Sequence, residues 1–161
     1  MSVTAGEFRD ALRKFASGVT IVTVAGDDEL HGMTASAFAS VSLDPPLVLV
    51  CLDKTSRTRA LVARTGSFAV NVLRSDQEEA SRAFALPGVK PFETVPHHAG
   101  GNGAPVLDEA IAVLECGTFR VFEAGDHDVV IGEVTAASAL GGDPLVYYDG
   151  TYRSLSSSNE S

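Results

Sequence analysis

Cysteine is scarce in this chain, and so are cations. Among 161 residues there are two cysteines, and 12 lysines and arginines face 21 aspartates and glutamates for a net charge of −9. Cys51 and Cys116 each sit in an apolar, strand-like run, which excludes a disulfide framework and reads as two reduced, buried hydrophobes. The shortage of cations argues against nucleic acid or an anionic membrane as the main partner, because both demand basic patches. No window reaches the roughly 18 consecutive apolar residues of a membrane span. The opening MSVTAGEFRDALRKF has no signal-type apolar core, so a cytoplasmic location is expected. A GxGxxG after a strand is missing, which disfavours a parallel dinucleotide-binding sheet, and a GxSxG elbow is missing, which disfavours serine hydrolysis. His97 and His98 have no Cys, Asp or Glu beside them at ligand spacing, so no metal site is expected.

What is present reads as one β-rich domain over residues 1–161, with flexible tails at about 1–5 and 156–161. Hydrophobic residues make up 45%, enough for a core of its own. Thr4 and Glu7 have capping-box spacing before a helix in which Phe8, Leu12 and Phe15 share a face. Strands are expected at Val19–Ala25, Met33–Ser42, Leu47–Leu52, Ser67–Leu73, Ala110–Cys116, Thr118–Ala124 and Asp128–Ala137. Ser75 reads as the cap of a short helix from Gln77 to Phe84, and Gly88–Gly103 as a long ordered loop or flap. Asp149-Gly150 joins a closing hairpin. Many short strands with few helices favour a closed barrel, because closure removes exposed edges.

The richest stretch is His31–Thr58, HGMTASAFASVSLDPPLVLVCLDKTSRT. Between Met33 and Ser42 one face is small and apolar, with Ala35, Ala37 and Val41, and the other carries Thr34, Ser36, Ser40 and Ser42. Outward positions of a wet strand usually hold long charged side chains, and none occurs there. Small side chains let a planar ring approach the backbone; packing against a neighbouring strand explains the pattern too. Leu47–Leu52 reads as a strand buried on both faces, ending in Asp53-Lys54-Thr55-Ser56-Arg57-Thr58-Arg59 and a helix. With Thr55 or Ser56 as N-cap, free N–H groups and the positive dipole end sit beside hydroxyls and cations, which is the chemistry of a phosphate site; an ordinary capped helix with solvated charges has the same residues.

These motifs together resemble the short-chain flavin reductases, the small components of two-component flavin-dependent monooxygenases. The resemblance runs from FRDALRKFASGVTIVT through GMTASAFASVSLDPPLVLVCLDKTSRT, SFAVNVL and GAPVLDEAIAVLEC to AGDHDVVIGEV and PLVYYDGTYRSL. It implies a mainly β fold with flanking helices, the FMN-binding split β-barrel of Greek-key type, in a single domain. It also implies FMN or FAD as cofactor, NADH or NADPH as cosubstrate, a homodimer, and reduced flavin passed to a monooxygenase component. The flavin-binding positions implied are Met33, Thr34, Ala35, Ser36, Ala37, Ser40, Val41, Ser42, Cys51, Leu52, Asp53, Lys54, Ser56, Arg57 and Thr58. His127, in the GDH motif, is implied beside the reaction and the nicotinamide, with Tyr148 and Tyr152 nearby. A histidine capped by Asp126 and Asp128, and a pair of cross-strand tyrosines, are the plain structural alternatives. A flavin-binding electron-transfer or storage module without nicotinamide activity is the competing function. A split-barrel oxidase of a phosphorylated pyridoxal-type substrate lacks the second basic pocket it needs.

Overall fold

A computed structural model describes residues 2–155; the expected tail at 156–161 lies outside the described residues. In chain order the elements are α1 (Ala5–Leu12), β1 (Ser17–Gly18), β2 (Thr20–Ala25), β3 (Leu30–Ala35), β4 (Phe38–Ser42), β5 (Leu47–Asp53), α2 (Arg57–Thr65) and β6 (Ser67–Val72). There follow α3 (Glu78–Ala85), β7 (His97–Ala99), β8 (Pro105–Leu107), β9 (Ala112–Ala124), β10 (His127–Ala139), β11 (Val146–Tyr148) and β12 (Thr151–Arg153). A seven-stranded antiparallel sheet in the order β3-β2-β6-β9-β10-β5-β4 carries the fold.

Strand β2 shows why the sheet is covered on both sides. Its sequence TIVTVA is β-branched nearly throughout, and five of its six residues are buried. Val22 and Val24 join one core cluster with Leu52, Phe68 and with Leu61 and Val62 of α2. Ile21, one step out of phase, joins another with Leu73, Leu107 and Phe84 of α3. Each helix therefore has its own face of the sheet. Helix α2 stops at Gly66, whose φ of 71° is left-handed and whose N–H returns to Val62 O. The last hairpin turns at Asp149 and Gly150, with φ of 51° and 77°, the pair of positive values a tight two-residue turn requires.

Several expectations need correction. Met33–Ser42 is not one strand: the chain bends at Ser36-Ala37, where Phe38 N–H turns back to Ser36 O and Cys51 N–H reaches Ala37 O. β3 and β4 stand at the two ends of the strand order with only that bend between them, and no ladder joins them among the described residues, so the seven strands are not hydrogen-bonded into the closed barrel that the sequence favours. Strands expected at Ala110–Cys116 and Thr118–Ala124 are one, β9, because Gly117 pairs with Ser67 and Glu133 while a one-residue register shift beside Phe119 absorbs the irregularity. Leu47–Leu52 is fully buried on the face of Val48, Val50 and Leu52 and only in part on the other, where Leu47 is buried and Leu49 and Cys51 are half-buried. Helix α3 begins after Gln77, not under a Ser75 cap. Thr4 and Ala5, placed in a tail by sequence, are the cap and first residue of α1, held by the Thr4–Glu7 capping box. Phe8 and Leu12 of α1 and Phe15 just beyond it are 55%, 55% and 79% exposed, so this face is left largely uncovered by the described residues.

Candidate functional site

The strand β5 delivers the chain to the start of α2, and the turn between them is built by its own side chains. Asp53 accepts from the N–H and the hydroxyl of Thr55 at 2.7 and 2.6 Å, which holds its carboxyl below the usual range. Ser56 is the N-cap, accepting from Arg59 N–H at 3.1 Å. Helix geometry leaves the N–H groups of Arg57 and Thr58 without intrahelical acceptors. Thr58 is fully buried, and its hydroxyl lies 2.9 Å from His31 Nδ1 on β3. Burial first, and the Lys90 charge next, keep the His31 imidazole below its ordinary value.

A groove of about 530 Å³ opens at this corner. One wall is β3 through His31, Met33 and Thr34; another is Asp53, Thr55, Ser56, Arg57 and Thr58; the third is Phe84–Gly88 with Lys90. Thr34 is fixed by donating to Ser81 O at 2.6 Å, and Lys90 ties the third wall by donating to Phe84 O at 3.0 Å and Leu86 O. Lys90 is partly desolvated there, which lowers its pKa. A second groove, about 540 Å³, is lined by Ser36, Ala37, Phe38 and Leu49, with Leu12 and Phe15 from the α1 side and Tyr147 and Tyr148 from the hairpin. The two grooves share the β3–β4 bend, with Met33 and Thr34 in one and Ser36 and Ala37 in the other.

The structure thus gathers Met33, Thr34, Asp53, Ser56, Arg57 and Thr58 in one groove, and Ser36, Ala37 and Tyr148 in the other. Ala35 lies between and is buried, its carbonyl taken by Thr20 Oγ1 at 2.6 Å. Leu52 is a core side chain, and Cys51 beside it is half-buried on β5. Ser40, Val41 and Ser42 lie along β4 and line neither groove. Cys116 is inert: burial pushes its thiol up to about 12.

The cations around the start of α2 each lie near a carboxylate. Lys54 Nζ stands 3.8 Å from Glu123 Oε1, Arg57 is forked onto Glu29, and Arg59 Nε donates to Asp128 Oδ2 at 2.6 Å. Arg57 holds the Glu29 carboxyl below its usual range. His127 pairs across the sheet with Asp53, a groove residue, and itself lines neither groove; Asp126 Oδ1 is 2.7 Å from its Nδ1, leaving Nε2 as the ring atom without a partner among the described residues. Tyr152 is engaged in packing: its hydroxyl is 2.7 Å from Ser81 Oγ, and its ring lies 5.3 Å from Tyr147 and 4.8 Å from the Arg82 guanidinium. His31 and Lys90 line the groove although sequence reading did not single them out. The apolar-alternation pattern hides His31 as a strand position, and Lys90 sits in a loop 32 residues past Thr58, with no local motif to flag it.

A family model described as "Flavin reductase like domain" matches residues 12–156. The chain is 43% identical over 145 residues to a probable flavin reductase of Rhizobium meliloti, covering 89% of this chain and 47% of that protein, so it spans about half the length of that relative. It is 42% identical over 146 residues to the reductase component of a 4-nitrophenol 4-monooxygenase/4-nitrocatechol 2-monooxygenase of Rhodococcus opacus, covering 91% and 78% of the two chains. Its fold is similar to the NADH:FAD oxidoreductase of Streptomyces globisporus C-1027 solved with NAD and FAD fragments, at a TM-score of 0.92, 37% identity and coverage of 99% and 100%.

Proposed function

The chain belongs to the flavin reductase-like domain family, and from that premise we propose that it is an NADH:flavin oxidoreductase that reduces FMN or FAD for a partner monooxygenase. The observation that carries this reading is the groove in which the uncharged β3 wall of Met33 and Thr34 faces the Ser56-capped start of α2. The residues fit the cofactor. A volume of about 530 Å³ lies in the range of small-molecule sites, one wall suits a flat ring, and the other offers helix N–H groups and hydroxyls to a phosphate.

Bound flavin supplies the hydride-accepting chemistry, and no side-chain acid is needed for the transfer. The chain supplies position. Ser56 and the N–H groups at the start of α2 hold the phosphate, with Arg57 and Lys54 as the cations of the corner and Thr58 buried behind them against His31. Met33, Thr34, Ala35, Ser36 and Ala37 offer backbone groups and small side chains to the ring and its chain, and Cys51 and Asp53 close the strand side. His127, through Nε2, and Tyr148, in the second groove, hold NADH; Tyr152 acts from behind by fixing Tyr147. Orientation of two reactants in adjacent grooves is the main catalytic contribution.

The same reading treats the β3–β4 bend as the split of a split barrel and residues 1–161 as one domain. It also treats a second copy as the cover for the α1 face, since Phe8, Leu12 and Phe15 form an exposed apolar patch beside the second groove. Sedimentation giving a dimer supports that last point, and a fully active monomer refutes it. For the activity, loss of nicotinamide absorbance is followed with NADH or NADPH against FMN or FAD. Turnover with NADH and at least one flavin is expected. Flavin binding without nicotinamide oxidation would make the protein an electron-transfer or storage module instead.

A further inference from the structure

Every cation that the sequence sets around the start of α2 is already held by a carboxylate from another element. Lys54 faces Glu123 of β9 and Arg59 faces Asp128 of β10. Of the three, only Arg57 lines the groove, and both its Nε, at 3.0 Å, and an Nη donate to one oxygen of Glu29. Glu29 stands in the turn before β3 and does not itself line the groove. The two side chains are 52% and 37% exposed, so the pair is wet and exchanges partners without stranding a buried charge. A guanidinium fork suits a phosphate as well as a carboxylate.

Resting on the flavin reductase reading above, we infer that Glu29 competes with the flavin phosphate for Arg57 and thereby sets how tightly flavin is held and how fast it leaves. To engage the phosphate, Arg57 must give up Glu29; when the ligand departs, Glu29 takes the guanidinium back. Ser56 and the helix N–H groups hold the phosphate whichever way Arg57 points. An anion site with a resident competitor binds in the releasable range that a diffusing product requires. Riboflavin, which has no phosphate, is indifferent to this exchange.

The test measures Kd for FMN and for riboflavin by flavin fluorescence, and FMN release by stopped flow, in the unmodified protein, Glu29→Gln, Arg57→Ala and the double variant. Glu29→Gln lowers Kd for FMN about fivefold, equivalent to about 1 kcal/mol at 25 °C, and slows release by a similar factor. Its Kd for riboflavin stays within about twofold, and in the Arg57→Ala background the same change moves Kd for FMN less than about twofold. Glu29→Asp, which keeps the charge on a shorter arm, falls between. Unchanged or weaker FMN binding in Glu29→Gln overturns the inference, as does equal tightening of riboflavin or full tightening without Arg57. Failure of the function itself looks different: the unmodified protein then oxidises no NADH with any flavin.

Discussion

Replacing Arg59 by alanine should damage the fold more than removing its partner, although the two form one ion pair. Asp128 is 1% exposed; its Oδ2 accepts from Arg59 Nε at 2.6 Å, and its Oδ1 has no partner among the described residues. Arg59→Ala therefore leaves a carboxylate with no donor in a place water does not reach. Breaking a buried pair from that side costs about 3–5 kcal/mol, and the lower end applies because the Arg59 side chain is itself 33% exposed and partly screened. Asp128→Ala leaves the opposite orphan, a guanidinium at the edge of water, which rehydrates; a cost of about 1–2 kcal/mol follows. Against a typical domain stability of about 5–15 kcal/mol the first change is severe. Urea unfolding followed by far-ultraviolet circular dichroism, without added flavin, gives both values from the midpoints at constant slope. An apolar pair, Arg59→Met with Asp128→Leu, should recover most of the loss, because well-packed hydrophobes replace buried pairs at little cost. Equal costs for the two single changes, or a cost for Arg59→Ala below about 1 kcal/mol, would refute the reasoning.

Ser56→Ala removes the cap that Arg59 N–H uses and should cost about 1 kcal/mol; it should also raise KM for FMN while leaving KM for riboflavin in place, and steady-state kinetics with both acceptors decides. Gly132→Ala puts a methyl 2.7 Å from Phe68 Cζ and 2.9 Å from Cys116 Cβ, both fully buried, so overpacking of about 1–3 kcal/mol should appear as a lower urea midpoint; an unchanged midpoint would mean that this core yields. His31 has its folded pKa below the 6.5 of the free side chain, so the unfolded chain binds the proton more readily: its contribution is complete above about pH 6.5 and is lost as pH falls through the lower folded value. Stability measured from pH 7.5 down to 5 should decline, and His31→Gln should flatten the decline; identical slopes in the two proteins contradict this. Cys116, with its thiol pushed up to about 12, should resist thiol reagents at pH 8 until the protein is unfolded, as a count of reactive thiols shows.

Local chemistry was legible in the sequence, and distant pairing was not. The capping box at Thr4 and Glu7, the Ser56 cap, the Asp149-Gly150 hairpin and the β-branched runs of β2 and β6 are written in neighbouring residues, and each is found. The bend at Ser36-Ala37 was missed because the alternation of small residues continues smoothly through it, and what breaks the strand is a contact with Cys51, 14 residues on. The same limit hid the ion pairs. Lys54, Arg57 and Arg59 read as the cations of one corner, and the carboxylates that face them, Glu29, Glu123 and Asp128, lie 28, 69 and 69 positions away along the chain. Sequence placed the helix start, whose N–H groups follow from backbone geometry, but the availability of its side-chain charges is a property of tertiary packing.

The missing ladder between β3 and β4 also explains why the hydroxyl-rich stretch carries no charge. Each strand pairs on one side only, β3 with β2 and β4 with β5, so each presents a row of unpaired backbone groups at its outer edge. Exposed edges of this kind are ordinarily blunted with lysine, proline or a covering element, and from Met33 to Ser42 there is neither lysine nor proline. An unprotected edge persists when something else satisfies it. A planar ring with a hydrogen-bonding rim does so if side chains are small enough to admit it, which Ala35, Ser36 and Ala37 are, and the homodimer proposed above would cover what the ring leaves. On the proposed function, the two grooves, the open ladder and the uncovered α1 face would follow from one requirement, that this edge be completed from outside the chain. Charged substitutions such as Ala37→Lys should accordingly be tolerated by the fold yet abolish flavin binding, a separation that a urea midpoint and a flavin titration on the same variant measure directly.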